Sequence, residues 1–269
     1  MLAHSHFHST VSAHGTITAT MFIKHNHSPY RDALIKEVAG LQLLRQGIAH
    51  DPKNPLRIPE VFNVSEQQLT LTQITSQRPG KHQWQQLGEG LARLHSQQQS
   101  HYGLKTDNYI GLNPQPNGIY QDWGAFFIQQ RLQYQLSLIR DRSIQKKWQQ
   151  TLVQSSDKLR QFLNDNCPHP SLLHGDLWNG NVLFSSDAVW LIDPAIYCGD
   201  READLAMTEM FGGFDPEFYR AYDNAYPRTD TYQTKREIYN LYHYLNHYNL
   251  FGSGYLDGCE KGWEIITSL

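Results

Sequence analysis

The feature that most constrains the fold of this chain is a polar segment in its second half, His174–Asn181, with the sequence HGDLWNGN. Directly after it, the apolar run Val182–Phe184 predicts a β-strand, and the turn-forming residues Ser185–Asp187 follow. The next run, Ala188–Ile192, predicts a second strand that returns along the first and leads into Asp193. The sequence therefore predicts a loop and a β-hairpin that bring Asp193 back beside the polar segment.

The polar side chains of this unit are those that phosphoryl transfer requires. That reaction needs one group that accepts the proton of the attacking hydroxyl, and oxygen ligands that hold Mg2+ against the phosphates of a nucleotide. We predict that Asp176 is the catalytic base and that Asn181 and Asp193 bind Mg2+ and, with it, the nucleotide. Asn181 follows Asp176 by five residues, which is the spacing of a kinase catalytic loop. The alternative, a polar hairpin with surface aspartates, would match these residue types and their spacing only by accident.

The size, charge and cysteine content of the chain narrow its class. Its 269 residues suffice for one large domain or two lobes around a sizeable core. The formal net charge of −3 provides no general basic field, so we expect neither nucleic acid nor a membrane as a partner. No apolar run reaches the roughly 18 residues of a membrane span, and no signal-peptide pattern is present. Three widely spaced cysteines favour unpaired thiols in a reducing cytoplasm.

The first third of the sequence predicts strands around one helix. Thr16–Lys24 alternates and is rich in β-branched residues, which is typical of a strand, and Tyr30–Gln46 places apolar residues on one helical stripe. Two further strands are predicted at Ile58–Val64 and Gln68–Thr75. Arg78–Gly80 breaks the pattern with the sequence RPG, so a boundary between two lobes is expected there.

The remainder of the chain is predicted to be mostly helical, apart from the hairpin described above. We therefore expect an α+β, bilobal fold of the protein-kinase type. Residues 1–77 would form a small β-rich lobe that clamps a nucleotide, and residues 78–269 a large, mainly helical lobe that carries out catalysis and binds the substrate. Helices are predicted around Trp84–Leu94 and over Trp123–Arg140, Ile144–Asn164, Asp204–Met210, Pro216–Ala225 and Thr231–Leu250, with a loop at Asp107–Asn117.

Residues of the first third complete the expected nucleotide site. Lys24 ends an apolar strand, and Glu37 lies thirteen residues later on the next helix. In a kinase-like site the lysine holds the inner phosphates of the nucleotide, and a helix carboxylate keeps the lysine aimed at them. An exposed lysine after a strand is common, so this pair gains its weight from the polar residues downstream. Between the lobes, Gln73, Ile74 and Thr75 are predicted to bind the adenine ring through backbone groups, although a plain linker would have a similar sequence.

The loop that would cover the phosphates is harder to assign. The sequence has no Gly-x-x-x-x-Gly-Lys-Ser/Thr motif and no Gly-x-Gly-x-x-Gly near its start. The best candidate is Ser9–Gly15, whose amides and hydroxyls could cap phosphate, but an ordinary hairpin turn is an alternative. His4, His6 and His8 alternate as zinc ligands on one strand face would. With no carboxylate or cysteine nearby, an ordinary terminal segment is the better interpretation.

A charged run that leads into an apolar helix, Gly199–Met207, contains three further candidates in the sequence GDREADLAM. Asp204 suits the start of a helix, and we expect its carboxylate to accept backbone N–H groups of the catalytic loop and so fix the shape of that loop. Asp200 and Arg201 follow Asp193 closely and could line the substrate pocket. A structural ion pair is an equally good interpretation of these two residues.

These motifs resemble those of the fructosamine kinase (ketosamine-3-kinase) family, which belongs to the aminoglycoside phosphotransferase-like branch of the kinase fold. The most specific features are Trp178 within HGDLWNGN, the proline after Asp193, and the run Asp200–Glu202. The likeness extends from about Phe22 to the C-terminus. Further matching segments are Glu37–Leu41, Leu87–Gly88, Leu91–His95, Asn108–Gly111, Pro114–Asn117, Asp122–Trp123, Phe126–Phe127 and Arg131–Leu132.

The resemblance implies an enzyme that uses ATP and Mg2+ to phosphorylate the 3-hydroxyl of a ketosamine, such as a fructosamine or a ribulosamine. The phosphorylated product falls apart and frees the amine, so the implied activity removes sugar from glycated amines, either small molecules or proteins. The matching residues would have the roles assigned above. Trp178 lies beside Asp176, where the sugar would bind in the family, and could pack against it or anchor the loop. A monomer is favoured.

Two other functions remain open at this point. A kinase of another small hydroxylated molecule, such as an aminoglycoside, choline or homoserine, would use the same residues. Few carboxylates are expected in the pocket, however, and a cationic aminoglycoside would need them. A non-catalytic nucleotide-binding relative would keep the fold and lose the phosphate clamp. The intact Asp176, Asn181 and Asp193 favour an active enzyme.

Overall fold

The computed structural model describes residues 20–269, and its first part is a small sheet beside one helix. The elements are β1 (Met21–His25), α1 (Ala33–Ala49), β2 (Leu56–Arg57), β3 (Val61–Val64) and β4 (Gln68–Thr72). Within the described residues, three antiparallel strands form this sheet in the order β1–β4–β3. Lys24 pairs with Leu69 in the register, and Leu69 is fully buried. The register therefore places Lys24, on an edge strand, beside a buried position of the central strand β4.

The first helix begins and ends later than the periodicity predicts. Tyr30 lies before α1 because the side-chain amide of Asn26 donates to its carbonyl oxygen at 2.8 Å and closes a turn there. The helix then continues through Gly47, where an added Cβ would lie 2.9 Å from the side chains of Leu94 and Leu172. Glycine weakens a helix interior, but here it permits close packing against the rest of the molecule.

The second part is larger and mainly helical. Its helices are α2 (Lys81–His95), α3 (Trp123–Phe126), α4 (Tyr134–Ser137), α5 (Arg142–Asp165), α6 (Glu202–Met210), α7 (Pro216–Ala225), α8 (Tyr232–Phe251) and α9 (Leu256–Ser268). Its strands are β5 (Tyr102–Leu104), β6 (Asn108–Ile110), β7 (Asn113–Gln115), β8 (Gly118–Tyr120), β9 (Ser171–Leu173), β10 (Val182–Phe184), β11 (Val189–Leu191) and β12 (Tyr197–Gly199). None of the helices between residues 20 and 269 is both long and apolar enough to cross a bilayer.

The segment Asp107–Asn117, expected as a loop, contains a hairpin. β6 and β7 pair antiparallel, with Asn108 opposite Gln115 and Tyr109 opposite Pro114. Strands of three residues are too short for alternation to be detected, and a proline argues against a strand in a sequence. The prediction of a loop was therefore wrong, because β6 and β7 are too short to be recognised in the sequence.

The helix predicted over Trp123–Arg140 is divided into three pieces. A π-helical stretch at Phe127–Gln133 separates α3 from α4, and the helical run ends at Ser137. This stretch carries Arg131, whose side chain is fully buried and donates to the carbonyl oxygen of Pro116 at 2.6 Å. A π-turn is a local change of winding that apolar periodicity does not show.

The predicted hairpin beside the polar segment is present. β10 and β11 pair antiparallel, with Val182 opposite Leu191 and Phe184 opposite Val189, and β2 extends this sheet by pairing parallel with β11. β9 and β12 belong to another sheet, in the order β8–β5–β12–β9. Residues 174–181 connect β9 with β10, and residues 192–196 connect β11 with β12. The same two sheets therefore hold both segments of the expected site.

The buried core consists of two clusters of apolar side chains. One joins Leu41 of α1, Leu71 of β4, Leu87 of α2, Leu191 of β11 and Phe218 of α7. The other is rich in aromatic residues and lies among α3, α5, α8 and α9. Because the first cluster contains residues from both sides of the boundary predicted between 77 and 78, the strand-rich part is packed directly against the catalytic hairpin. The predicted α+β architecture, a small strand-rich part and a larger helical part, is confirmed.

Candidate active site

The catalytic loop between β9 and β10 is held in shape by its own backbone and by α6. Gly175 has a φ of +80°, and a Cβ at this position would overlap the carbonyl group of Ala195, so only glycine fits. The carboxylate of Asp204 accepts the N–H groups of His174 at 2.7 Å and of Gly175 at 2.8 Å. Asp204 therefore has the supporting role that its position in the sequence predicts.

A buried histidine that the sequence did not reveal holds Asp204 in turn. Nε2 of His95, in the last turn of α2, lies 3.2 Å from Asp204 Oδ2, and Nδ1 lies 2.9 Å from the hydroxyl of Tyr222. Burial opposes ionisation of Asp204, but hydrogen bonds from His95 and from the loop keep the pKa of Asp204 below its usual range. Burial lowers the pKa of His95, so its ring is neutral. Two signals were available, a polar residue on the apolar face of α2 and the place of His95 in a segment that resembles the family.

Asp176 and Asn181 lie at the two ends of the catalytic loop and face each other. Asn181 Nδ2 donates to the carbonyl oxygen of Asp176 at 2.9 Å and to its Oδ2 at 3.2 Å. Burial and the nearby negative charge of Asp193 raise the pKa of Asp176 to about 7, although the hydrogen bond from Asn181 opposes the shift. A carboxylate with such a pKa is suited to accept a proton at neutral pH.

Asp193 occupies an unusual backbone conformation at the end of the hairpin. Its φ is +51°, and it is the one non-glycine residue with a positive φ in the part of the chain that the structure describes. Asn181 Nδ2 lies 3.4 Å from the carbonyl oxygen of Asp193, and Ala195 N–H donates to the carbonyl oxygen of His174 at 2.9 Å. Strain of this kind persists only where the surroundings hold it, and it is concentrated at functional sites.

Lys24 brings the small lobe to the same place. Its Nζ lies 2.8 Å from Oε2 of Glu37 on α1 and 2.9 Å from Oδ1 of Asp193. Lys24 and Asp193 are separated by 169 residues in sequence. The structure therefore brings together five of the residues that the sequence singled out: Lys24, Glu37, Asp176, Asn181 and Asp193.

The two carboxylates that contact Lys24 differ in protonation. Burial raises the pKa of Glu37 to about 7, even though the charge of Lys24 opposes this shift. Burial also works against ionisation of Asp193, but there the charge and hydrogen bond of Lys24 prevail and hold the pKa below its usual range. The two carboxylates together raise the pKa of Lys24 against the effect of its burial. Of the two carboxylates, Asp193 is thus the one that is ionised at neutral pH, whereas Glu37 is partly protonated.

The free oxygens at the site fit a magnesium ion. Within residues 20–269, Oδ1 of Asn181 accepts no hydrogen bond, and the hydrogen bond that Lys24 donates to Asp193 uses Oδ1 of that carboxylate. Mg2+ prefers hard oxygen ligands and takes few of them from the protein. In the same part of the chain, no group of three or more His, Cys, Asp or Glu side chains could hold a metal. Because Mg2+ needs few protein ligands, the side-chain oxygens of Asn181 and Asp193 could bind it together with the phosphates of a nucleotide.

The predicted adenine segment lies between β4 and α2. Gln73 N–H donates to the carbonyl oxygen of Thr20 at 2.9 Å, whereas the backbone groups of Ile74 and Thr75 make no backbone hydrogen bond to any described residue. Further along, Gln77 N–H donates to the carbonyl oxygen of Phe184 at 2.8 Å and ties the segment to the catalytic hairpin. The backbone groups at 74 and 75 are thus available to a ligand, and adenine binding by Gln73, Ile74 and Thr75 stays a prediction.

Trp178 lies on the catalytic loop with its ring against Gly180. The side chain is 39% exposed, so only part of it serves to cover the loop. Contact with a substrate stays a prediction, and the exposed part of the ring is the surface that would make it.

Asp200 and Arg201 are buried, with exposed fractions of 1% and 3%. Asp200 Oδ2 accepts hydrogen bonds from Lys235 at 2.8 Å and from the Tyr239 hydroxyl at 2.7 Å. The guanidinium of Arg201 lies 3.7 Å from the ring centre of Tyr226. Both side chains are therefore occupied by contacts inside the large lobe. Of the two interpretations of Asp200 and Arg201, this favours the structural one over a place in the substrate pocket.

Two predictions fall on residues outside the described part of the chain. They are the phosphate-covering loop at Ser9–Gly15 and the alternative zinc site at His4, His6 and His8.

Comparison with known proteins gives the family of the chain. The sequence matches the family model of fructosamine kinase over residues 5–267. A "Probable ketoamine kinase" of Vibrio parahaemolyticus is 40% identical over 256 residues, which cover 92% of this chain and 85% of that protein. The chloroplastic protein-ribulosamine 3-kinase of Arabidopsis thaliana is 42% identical over 177 residues, which cover 63% of this chain and 53% of that protein.

Solved structures show the same relationship. A fructosamine-3-kinase candidate from Haemophilus somnus has a TM-score of 0.79 and 26% identity, and the match covers 97% of this chain and 91% of that one. An aminoglycoside phosphotransferase bound to streptomycin and ATP has a TM-score of 0.56 at 16% identity, covering 97% and 93%, which shows a shared fold alone. The bilobal kinase-like fold and the resemblance found in the sequence are thereby confirmed. This chain belongs to the fructosamine kinase family.

Proposed function

We propose that this protein is a ketosamine-3-kinase that transfers the γ-phosphate of ATP, with Mg2+, to the 3-hydroxyl of a ketosamine such as a fructosamine or a ribulosamine. The observation that carries the proposal is the convergence of Lys24 on the loop and hairpin that carry Asp176 and Asp193, although Lys24 and Asp193 are 169 residues apart in sequence. Membership of the fructosamine kinase family supports the choice of acceptor, as do the names of the ketoamine and ribulosamine kinases among its relatives.

In the proposed reaction the substrate hydroxyl attacks the γ-phosphorus of ATP. The new bond joins the sugar O3 to phosphorus, the bond between the γ-phosphorus and the β,γ-bridging oxygen breaks, and ADP leaves with that oxygen. Asp176 accepts the hydroxyl proton, for which its pKa of about 7 is suited. Asn181 orients the carboxylate of Asp176 by donating a hydrogen bond to its Oδ2 at 3.2 Å. The base is thereby aimed before the substrate arrives.

The nucleotide would be held by Lys24 from the small lobe and by Asn181 and Asp193 from the large one. When the nucleotide binds, Lys24 would form ion pairs with the phosphates in addition to its contact with Asp193. Glu37, 2.8 Å from Lys24 Nζ, would keep the ammonium group in place. Mg2+, when bound to Asn181 and Asp193, would supply charge neutralisation for the phosphates. The adenine ring would bind the backbone of Gln73, Ile74 and Thr75.

The product suggests the biological role. A phosphate on the 3-hydroxyl makes the ketosamine unstable, so it breaks down and frees the amine. We infer that the enzyme removes sugar from glycated amines, free or on proteins, in the cytoplasm. The three cysteines, Cys167, Cys198 and Cys259, are all buried free thiols, which is compatible with a reducing compartment.

The test is ATP turnover with a ketosamine as acceptor. Addition of a fructosamine or a ribulosamine should stimulate ADP release by the wild-type protein, and Asp176→Asn should lower the rate by about 10³-fold or more, since general-base and positioning effects are both lost. Asp187→Asn is a matched control, because Asp187 lies exposed in the turn of the same hairpin. An unresponsive wild-type protein with Mg2+ present would refute the proposal. A panel with aminoglycosides, choline and homoserine would then show whether another hydroxylated acceptor is used.

A further inference from the structure

The β6–β7 hairpin presents different residues on its two faces. Along β6, Asn108 and Ile110 are buried, with exposed fractions of 8% and 2%, whereas Tyr109 between them points to the other side and is half-buried. Gln115, opposite Asn108 in β7, is fully buried. Because alternate side chains leave a strand in opposite directions, the hairpin can contact two separate parts of the molecule at once.

The buried face of the hairpin holds the backbone just after Asp193. Asn108 Nδ2 donates to the carbonyl oxygen of Ile196 at 2.9 Å, and Gln115 Nε2 donates to that of Ala195 at 2.9 Å. Gln115 Nε2 also donates to Asn108 Oδ1 at 2.9 Å, which orients both amides. The segment that carries the predicted metal ligand is therefore fixed by two directional contacts within three residues of Asp193.

A second row of buried side chains holds the two amides in turn. Asn117 Nδ2 donates to Asn108 Oδ1 at 2.9 Å, the Tyr242 hydroxyl donates to Gln115 Oε1 at 2.8 Å, and Arg131 Nη2 donates to Asn117 Oδ1 at 2.9 Å. A buried polar network is costly unless its members are paired, so it favours one arrangement of the hairpin over others.

The other face of the hairpin reaches the start of α1. The Tyr109 hydroxyl donates to Asp32 Oδ1 at 2.6 Å, and the Tyr109 ring stacks on Tyr30 with centres 4.7 Å apart. Asp32 directly precedes α1, yet its carboxylate makes no capping hydrogen bond to that helix. The carboxylate is used for Tyr109 instead. Glu37 lies five residues further along, about 7.5 Å at the rise of an α-helix.

We propose that the β6–β7 hairpin is a brace that sets the position of α1 relative to the segment after Asp193, and that Tyr109 is a positioning residue for the nucleotide clamp. α1 carries Glu37, the braced segment carries Asp193, and Lys24 contacts both carboxylates. A relative shift of the two parts would lengthen one of the two contacts of Lys24. The inference rests on the proposed function and deepens it, since it assigns a role to residues that do not touch the reacting groups.

Direct packing between the two parts does not replace the brace. At Gly40 of α1 an added Cβ would lie 3.2 Å from the ring of Pro194, so the helix already rests against this segment. An apolar contact of this kind sets a distance but not a direction, because it is nearly unchanged when the surfaces slide. The hydrogen bonds of Asn108, Gln115 and Tyr109 supply the direction.

The first test is Tyr109→Phe, which removes the hydroxyl and keeps the ring. We expect the KM for ATP to rise about fivefold, the scale of one typical intramolecular hydrogen bond, while the KM for the ketosamine stays within about twofold. Tyr120→Phe is a matched control, because Tyr120 is also a half-buried strand residue whose hydroxyl donates to a side chain, that of Gln129, and it lies outside the brace. An unchanged KM for ATP, or an equal rise in both KM values, would overturn the inference.

A double-mutant cycle separates positioning from mere support. The dissociation constant of AMP-PNP with Mg2+ is measured by calorimetry for wild type, Tyr109→Phe, Glu37→Gln and the double variant. If Tyr109 acts through Glu37, Tyr109→Phe should raise the dissociation constant by less than about twofold when it is made in the Glu37→Gln variant. If Tyr109→Phe raises the dissociation constant by the same factor in wild type and in Glu37→Gln, the inference is overturned and the proposed function still stands. A wild-type protein that binds no nucleotide would contradict the proposed function and the brace together.

Discussion

At the residue scale, one of the three carboxylates of the site differs from the other two in its pKa, because its surroundings differ. Burial raises the pKa of Asp176 and of Glu37 to about 7, whereas Lys24 keeps the pKa of Asp193 low. The group proposed to accept a proton is thus close to half-protonated at neutral pH, and the group proposed to bind a metal is ionised. Asp176 and Asp193 thus have the protonation states that their proposed roles require.

The raised pKa of Asp176 predicts an acidic limb in the pH profile. A carboxyl with a pKa of about 7 is ionised above that pH and protonated below it, and only the ionised form accepts a proton. We expect kcat/KM for the ketosamine to fall about tenfold per pH unit below about pH 7, measured by steady-state rates. Circular dichroism over the same range controls for unfolding. A limb with its midpoint near 4 would show that Asp176 titrates as an ordinary aspartate and would contradict its raised pKa.

Removal of the Lys24 charge should disable the nucleotide clamp. In Lys24→Met, Glu37 and Asp193 lose their shared cation, and the phosphates lose theirs. We expect kcat/KM for ATP to fall by about 10²-fold or more, measured by ADP release. Lys53→Met is the control, because Lys53 is exposed and forms no ion pair with any residue from 20 to 269. A loss below about threefold in Lys24→Met would exclude a role for this lysine in the clamp.

The sequence could supply the residues that do the chemistry but not those that hold them. Asp176, Asn181 and Asp193 follow one another at a spacing that a short loop and hairpin impose, so local patterns are sufficient to find them. His95 lies far from Asp204 in sequence, and only the packing of α2 against α6 and α7 brings them together. A histidine on an apolar helix face is usually a core residue, so the helical pattern alone did not reveal its contact with Asp204.

At the element scale, the close approach of α2 and α7 sets the geometry behind the catalytic loop. α2 carries His95 and α7 carries Tyr222, which hydrogen-bond to each other and, through His95, to Asp204. Gly88 of α2 allows the contact, since a Cβ there would overlap the backbone of Phe218 in α7. The spacing of these two helices is therefore linked to the shape of the loop.

Gly88→Ala should destabilise the protein, although alanine usually favours a helix over glycine by about 1 kcal/mol. The added methyl group would push α7 away, and we expect a net loss of about 2 kcal/mol, which lowers Tm by roughly 5 °C in calorimetry. Gly254→Ala is the control, because no atom lies within 4 Å of the Cβ it would add. An unchanged or raised Tm in Gly88→Ala would show that the two helices do not constrain each other.

Elements were predictable where their pattern was long and unreliable where it was short. The apolar periodicity of α1, α5 and α8 extends over several turns, so each was found with errors of a few residues at its ends. The β6–β7 hairpin has strands of only three residues and contains Pro114, so it was taken for a loop. Its importance arises from contacts with Asp32 and Ile196, which no local pattern shows.

At the scale of the whole molecule, the order of the elements predicted two lobes but not how they are joined. β2 precedes the predicted boundary and yet pairs with β11 of the catalytic hairpin, and α1 shares one core cluster with α2 and α7. Such pairings between distant segments are set by the complete fold. The lobe boundary between residues 77 and 78 therefore stays a prediction, and one core cluster contains residues from before and after it.

Within the large lobe, a buried ion cluster connects the start of α6 with α8. Lys235 Nζ lies 2.8 Å from Asp200 and 2.7 Å from Glu202, and it donates to the carbonyl oxygen of Asn166 at 2.8 Å. Burial alone would lower the pKa of Lys235, but the two carboxylates outweigh it and raise the pKa. Asp200 is thus used to fix the helix that carries Asp204.

Lys235→Met should be strongly destabilising, because it leaves two buried carboxylates without their cation. We expect a loss of about 3 to 5 kcal/mol in the free energy of unfolding, measured by chemical denaturation. Lys261→Met removes an exposed lysine that lies 3.0 Å from Glu237 and should cost less than about 1 kcal/mol. Equal effects of the two substitutions would contradict a structural role for the cluster.

The central claim is that residues from both lobes form one site that phosphorylates a ketosamine on its 3-hydroxyl. The most direct measurement is phosphorus NMR of a reaction that contains the protein, ATP, Mg2+ and a fructosamine, with phosphorus–proton correlation to locate the new ester. We predict a new phosphate signal coupled to the proton on carbon 3 of the sugar, present with Asp187→Asn and absent with Asp176→Asn. A signal on another carbon, or ATP consumption without any sugar phosphate, would contradict the account.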